Sequence, residues 1–300
     1  MKQKSRESIL NATRQITSAT RLAAVIGSPV AQSLSPVIHN AIFESLKVDW
    51  LYVAFNVQPA RVEDALTSMT ALGIGGLSVT MPHKNAVAEF VTQIGVVDEV
   101  VRITNSANTV VLRPDNSLWA TNTDGDGCCN ALEQAMNSSI KGERVIVLGA
   151  GGTASAVIYA MVQRGASDVA VINRTPQRAQ ELVNRVAGSA RIVSSGEIAN
   201  TISNARIIIN TTPVGFGDEQ GSQVSPIDVS LIKSSHVVLD AVYKPLITGL
   251  LLASQKAGAT VVDGLSMLVH QAALQQQHWI GQMGDTALMR ECALAHLART

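Results

Sequence analysis

Arg144-Val145-Ile146-Val147-Leu148-Gly149-Ala150-Gly151-Gly152-Thr153-Ala154-Ser155-Ala156 is a short β-branched run that breaks into glycines and continues as helix. The apolar spacing of Ala154, Val157, Ile158, Met161 and Val162 predicts that helix, and Gly165 supplies a left-handed stop. Gly149 permits a tight turn, Gly151 lets the backbone approach a pyrophosphate, and the small Ala154 lets the helix pack close to its strand. Amides at the helix start, with the positive end of its dipole, would then face phosphates. A second strand, Asp168–Ile172, arrives where a strand–helix–strand unit would place it. That context favours a dinucleotide cradle made of Gly149, Ala150, Gly151, Gly152, Thr153 and Ala154 over an ordinary structural turn.

The second strand runs into Asn173-Arg174-Thr175, and Arg178 follows one helical turn later. An NAD site would carry an acidic residue about twenty positions past the glycines, to hold the ribose 2′-hydroxyl. None stands here. A guanidinium pairs with a 2′-phosphate and stacks on adenine, and the Thr175 hydroxyl adds a donor, so NADP is expected in preference to NAD. The competing reading is that Arg174 and Arg178 are ordinary solvated charges.

A chain of 300 residues suggests two domains. With 46% hydrophobic and 15% charged residues it reads as a compact folded protein, not a disordered one. Lys and Arg number 23 and so do Asp and Glu, which argues against both a nucleic-acid-binding field and a polybasic membrane patch. Three cysteines form neither a disulfide framework nor a metal-ligand spacing, and a reducing cytoplasm is expected. Residues 1–21 read as a polar extension without the apolar core of a signal peptide.

The N-terminal half alternates strands and helices, which predicts a second α/β domain. After the strand Leu22–Ile26, Ser33 and Ser35 stand two apart before Pro36, where they could hold a small carboxylate or polyol. Ser35 reads equally well as a plain helix N-cap. The strand Gly75–Val79 opens into Thr80-Met81-Pro82-His83-Lys84, at a strand's carboxyl end, where open α/β sheets bind ligands. Lys84 is favoured as a site residue and His83 as a structural hydrogen-bonding group. Leu118–Asp124 leads into a helix that Thr123 or Asp124 could cap, and a carboxylate at Asp124 would suit an ammonium at Lys84. Strands at 206–210, 236–240 and 259–262 fill out a doubly wound sheet, and the helical tail from Asp263 is expected to pack back on the first domain.

From Leu22 almost to its end the chain resembles the shikimate dehydrogenase family. Ser33-Leu34-Ser35-Pro36 with His39-Asn40, Thr80–Lys84, Asn108-Thr109, Asn122-Thr123-Asp124, the glycine turn, Asn173-Arg174-Thr175, and Asp263-Gly264 with Met267-Leu268 and Gln271 occur in the family's order. The resemblance implies a substrate domain formed by residues 22–123 and 265–300 and a Rossmann domain at 124–264. It implies that Lys84 and Asp124 are the catalytic pair, with Lys84 as general acid/base. Ser33 and Ser35 would hold the substrate carboxylate. Thr80, Asn108, Asp124 and Gln271 would hold ring hydroxyls, and Tyr243 would border the cleft. Gly264 and Met267 would flank the nicotinamide, with Thr212, Pro213, Val214 and Gly215 along the cofactor cleft. The implied reaction is NADP-dependent reduction of 3-dehydroshikimate to shikimate by a monomer or homodimer. An NAD-dependent quinate/shikimate dehydrogenase and a non-catalytic metabolite sensor are the alternatives. Two positions depart from the family: Asn105-Ser106 stands where a glycine and small apolar residues are usual, and Gln276 where an aromatic is common.

Overall fold

Alternating apolar strands and amphipathic helices fold into two six-stranded sheets. The computed structural model describes residues 16–217 and 223–299, so most of the expected polar extension, residues 1–15, lies outside the described residues. The first half supplies β1 (Arg21–Gly27), α1 (Ser35–Ser45), β2 (Trp50–Asn56), α2 (Val62–Leu72), β3 (Gly76–Val79), α3 (Lys84–Ile94), β4 (Val96–Val97), α4 (Glu99–Thr104), β5 (Thr109–Leu112) and β6 (Leu118–Thr121). Helix α5 (Asp124–Met136) carries the chain into β7 (Arg144–Leu148), α6 (Gly152–Gln163), β8 (Asp168–Ile172), α7 (Pro176–Val186), β9 (Ala190–Ile192), α8 (Ile198–Asn204), β10 (Ile207–Asn210), β11 (Val237–Asp240), α9 (Gly249–Lys256) and β12 (Thr260–Val262). Helices α10 (Gly264–Ile280) and α11 (Thr286–Leu297) follow.

The second sheet runs β12-β11-β10-β7-β8-β9, with every neighbouring pair parallel. Its central strands are covered on both faces, and their inner positions, Val145–Leu148 in β7 and Ile207–Ile209 in β10, are therefore apolar without alternation. In β7, Val145 and Val147 enter one core with Val157, Ile158 and Met161 of α6, while Ile146 and Leu148 enter the other with Ile202, Leu250 and Leu251. The winding reverses between β7 and β10, which opens a crevice at the carboxyl ends of these strands. Gly149 sits in that crevice at φ +114°, and a Cβ there would lie 2.7 Å from Thr211 Oγ1 in the turn after β10. Gly165 closes α6 at φ +78° as the sequence predicts, and Ala166 donates back to the Met161 carbonyl.

The first sheet runs β2-β1-β3-β5-β6-β4 and is mixed. Strands β5 and β6 pair antiparallel, because a connection as short as Arg113–Ser117 cannot cross over to a parallel neighbour. Helix α5 leaves this sheet for the second, and α10 returns beside it. The two touch where a Cβ on Gly127 would lie 2.6 Å from Gln271 Cβ. Helices α10 and α11 then pack on α1 through Ile38, Ile42, Leu265, Val269 and Met289, so the helical tail folds back on the first lobe. Among the described residues no helix is long and apolar enough to cross a membrane.

Glycine is required where α5 meets α6, since a Cβ on Gly125 would stand 2.2 Å from the Ala156 carbonyl oxygen. Gly125→Ala should therefore destabilise the fold by about 1–3 kcal/mol through overpacking. Gly196→Ala, at a position with nothing within 4 Å, should stay within about 0.5 kcal/mol of wild type. Urea denaturation of both variants checks this, and equal midpoints would refute it.

Candidate active site

Five helices begin at one cleft between the two sheets. Ser35, Lys84, Asp124, Gly152 and Gly264 are the first residues of α1, α3, α5, α6 and α10. The cleft, about 280 Å³, is lined by Ser35, Lys84, Asp124, Gly264 and, from the first turn of α6, Thr153. Each helix start contributes the positive end of its dipole, so the cleft suits anionic ligands before any side chain is counted. A larger, more open hollow bordered by Arg21, Arg113, Trp119 and His278 holds none of the predicted site residues.

Lys84 occupies the end of a helix least favourable to a cation. It is held there by a carboxylate. Its Nζ pairs with Asp124 Oδ2, and the two side chains are only 12% and 8% exposed. Nζ also donates to Thr153 Oγ1 at 2.9 Å, and that hydroxyl lies 3.1 Å from Asp124 Oδ2, to which it donates. The other carboxylate oxygen accepts from Asn108 Nδ2 at 2.7 Å, which also lies 3.2 Å from Gln271 Oε1. Asn108 Oδ1 in turn accepts from the Thr123 amide at 2.8 Å. A withdrawn ion pair with its remaining lone pairs satisfied in this way is geometrically determined.

Ser33 and Ser35 also line the cleft, but Ser35 is not an N-cap. It is the first helical residue, and its amide donates to Ser33 Oγ at 3.2 Å, a local hydroxyl–backbone turn that takes over the capping. Neither Thr123 nor Asp124 caps α5 with its side chain. Asn122 Oδ1 accepts from the Asp124 amide at 3.0 Å, which leaves the Thr123 hydroxyl to donate to the Gln271 carbonyl. Thr80, Tyr243, Met267, Thr212, Pro213 and Gln271 reach the same cleft. Burial pushes the Tyr243 phenol above its ordinary range. His83 is buried, with Nε2 2.7 Å from the Val57 carbonyl oxygen, a structural placement. Val214 does not line the cleft, and its carbonyl accepts from Asn210 Nδ2 at 3.2 Å.

Ser78 and Gln275 are among the lining residues that escape a reading of the sequence. Ser78 accepts from the Tyr52 hydroxyl at 2.6 Å and donates to Gln275 Oε1 at 2.8 Å, and Gln275 Nε2 donates to the Asn108 carbonyl at 3.1 Å. The departures fit the backbone. Asn105 takes φ +51° as the residue ending α4, a left-handed angle that asparagine tolerates, and Ser106 Oγ donates to the Gly152 carbonyl at 3.0 Å. Gln276 is buried outside the cleft lining, and its Nε2 donates to His39 Nδ1 at 3.1 Å. Burial holds the His39 imidazole down to about 3, so it is neutral and stacks on Tyr52 at 4.4 Å between ring centroids.

The glycine turn has the form a dinucleotide needs. No side chain caps α6, no acid occupies its first turn, and a Cβ on Gly151 would meet nothing within 4 Å. Ala154 is wholly buried in the core of its lobe, so only its backbone faces the turn. Past the end of β8, Arg174 and, in the first turn of α7, Arg178 are exposed with no carboxylate partner among the described residues, and Asn173 Nδ2 donates to the Thr175 carbonyl at 2.8 Å. These groups lie outside the cleft proper.

Three family descriptions match successive parts of the chain: shikimate dehydrogenase substrate binding domain at residues 25–110, shikimate / quinate 5-dehydrogenase at 131–214, and shikimate 5′-dehydrogenase C-terminal domain at 264–293. The shikimate dehydrogenase (NADP(+)) of Lysinibacillus sphaericus is 37% identical over 266 residues, covering 89% of this chain and 94% of that one. The chain belongs to the shikimate dehydrogenase family. Shikimate 5-dehydrogenase from Thermus thermophilus, in complex with NADP(H) and shikimate, superposes with a TM-score of 0.82 at 32% identity over 92% of this chain and 99% of that chain. Quinate dehydrogenase from Corynebacterium glutamicum, in complex with NAD, gives a TM-score of 0.82 at 29% identity with the same coverages.

The start of α10 is fastened by an ion pair. Asp263 caps it through the Ser266 amide at 2.8 Å and pairs with both terminal nitrogens of Arg290, at 2.9 and 2.6 Å. Burial pushes the Asp263 carboxyl up, but the Arg290 guanidinium and the Ser266 amide outweigh it and hold the group below its ordinary value. Stability from this pair is therefore present above the ordinary carboxylate range and lost as pH falls through the lowered value. Arg290→Met should cost about 2 kcal/mol near neutral pH. The deficit should shrink below about pH 4. Urea midpoints across that range check this, and a pH-independent deficit would refute it.

Proposed function

We propose that the protein is an NADP-preferring dehydrogenase that interconverts 3-dehydroshikimate and shikimate, with Lys84 as the acid/base and Asp124 as its partner. The observation that carries the reading is the position of this pair: a buried ammonium from the first lobe lies against the first turn of α6, the helix that would receive the dinucleotide. Bound NADP(H) would exchange a hydride with the carbon that bears the reacting oxygen. Ser33 and Ser35 would receive the carboxylate of the six-membered acid at the start of α1. Thr80, Asn108, Asp124 and Gln271 would hold its hydroxyls. In reduction Lys84 Nζ gives a proton to the oxygen of the carbonyl as it becomes an alcohol, and in oxidation it takes that proton back. Asp124 keeps the nitrogen in place through both states.

Gly149 to Ala154 would face the pyrophosphate, Gly264 and Met267 would border the nicotinamide, and Thr212 and Pro213 would continue that wall. Arg174 and Arg178, with Asn173 and Thr175 beside them, would clamp a 2′-phosphate, and the absence of an acidic residue after β8 supports NADP over NAD. We take residues 22–123 with 265–300 as the substrate domain and 124–264 as the cofactor domain, because β6 ends at Thr121 and β12 at Val262. The three cysteines are free thiols, which suits the reducing cytoplasm. A monomer or homodimer is expected.

Lys84→Ala should lower kcat by about 10²–10⁴-fold while the dissociation constant of NADPH changes by less than about twofold. Unchanged turnover would remove the acid/base assignment. Arg174→Ala should raise KM for NADP by about tenfold or more and leave KM for NAD nearly unaltered, since only the phosphate loses a charged hydrogen bond. Equal efficiency of wild type with both cofactors would contradict the clamp. Assaying shikimate beside quinate in the same experiment separates the two ring acids, and binding of shikimate without cofactor reduction would indicate a sensor.

A further inference from the structure

Thr153 belongs to the cofactor turn by sequence, yet its hydroxyl is spent elsewhere. It accepts from Lys84 Nζ at 2.9 Å and donates to Asp124 Oδ2 at 3.1 Å, so it bridges both members of the ion pair and reaches Lys84 from the opposite lobe. The backbone beside it touches the same lysine. A Cβ on Gly152 would lie 3.3 Å from Lys84 Cβ and 2.9 Å from Ser106 Oγ, and Ser106 ties the Gly152 carbonyl to the first lobe at 3.0 Å. The stem and the head of Lys84 are thus both seated on the glycine turn. An ammonium has three donors, and with one on Asp124 and one on Thr153 a single N–H is left for a substrate oxygen.

We infer that Thr153 is a positioning residue for proton transfer: its hydroxyl fixes the Lys84–Asp124 pair to the turn that receives the dinucleotide pyrophosphate. This rests on Lys84 being the acid/base. The amide of Thr153 stands in the first turn of α6 while its hydroxyl holds the pair, so a shift of that turn on cofactor binding is passed directly to the lysine.

Thr153→Val keeps the shape and removes the hydroxyl, and Thr153→Ser restores it. In the full-length protein, with NADP+ and shikimate, Thr153→Val should lower kcat by about tenfold or more, as expected for a lost hydrogen bond to a charged group, with KM for shikimate within about threefold. The pH profile of kcat for alcohol oxidation should be displaced from that of wild type, because the hydroxyl that bridges the ammonium and the carboxylate is gone. Thr153→Ser should recover both quantities. NADPH fluorescence titration and circular dichroism establish that the valine variant is folded and binds cofactor. Wild-type kcat and pH profile in Thr153→Val would overturn the inference, as would a defect confined to NADPH affinity. If Lys84→Ala itself retains turnover, the acid/base assignment fails, an outcome distinct from an inert Lys84→Ala beside an unaffected Thr153→Val.

Discussion

An ammonium and a carboxylate withdrawn from water must meet each other with most of their remaining hydrogen-bonding capacity filled, or the cost of desolvation falls on the fold. Lys84 and Asp124 satisfy that condition only because three helix starts deliver their side chains to one point, with Thr153 arriving from the cofactor lobe and Asn108 closing the other side of the carboxylate. Placing lysine at the first position of α3 runs against that helix's own dipole. Aspartate at the first position of α5 runs with its dipole, and the pairing offsets the misplaced cation.

The two lobes are joined by more than a linker. Helix α5 leaves the first sheet and α10 returns beside it, with Gly127 allowing the close approach of Gln271, and Gln271 itself faces the cleft. The residues that hold the crossing together therefore include residues of the site. Asp263 and Arg290 fasten the start of α10, where Gly264 is pressed against the Val242 carbonyl so closely that a Cβ would lie 2.5 Å from its oxygen. A cleft walled by such contacts is preorganised, and the polar groups facing it have little freedom to lose on binding.

The glycine turn, the β-branched strands around it and the alternation of strand and helix are legible in the sequence because each depends on neighbours in the chain. Lys84 and Asp124 stand out as residues of fitting chemistry, and the order of motifs ties them to a family. What stays hidden depends on tertiary placement. The antiparallel direction of β5 and the two-residue β4 carry no periodic signal of their own, and the bond from Ser78 to Gln275 spans 197 positions. The caps differ from expectation for a local reason: Ser33 and Asn122, each two residues upstream of the amide it serves, reach it before Ser35, Thr123 or Asp124 can. Thr153 is legible as part of the cradle. That its hydroxyl turns to the other lobe is not.

The proposed chemistry asks one thing of this architecture, that Lys84 from the first lobe and a nicotinamide held by the second address the same carbon–oxygen bond across the cleft. A crystal structure of the ternary complex with NADP+ and shikimate tests this most directly. It should show the reacting hydroxyl within hydrogen-bond distance of Lys84 Nζ, the nicotinamide against Gly264 and Met267, and the pyrophosphate at the start of α6. A dinucleotide seated away from that helix, or a ring acid whose reacting hydroxyl is out of reach of Lys84, would contradict it.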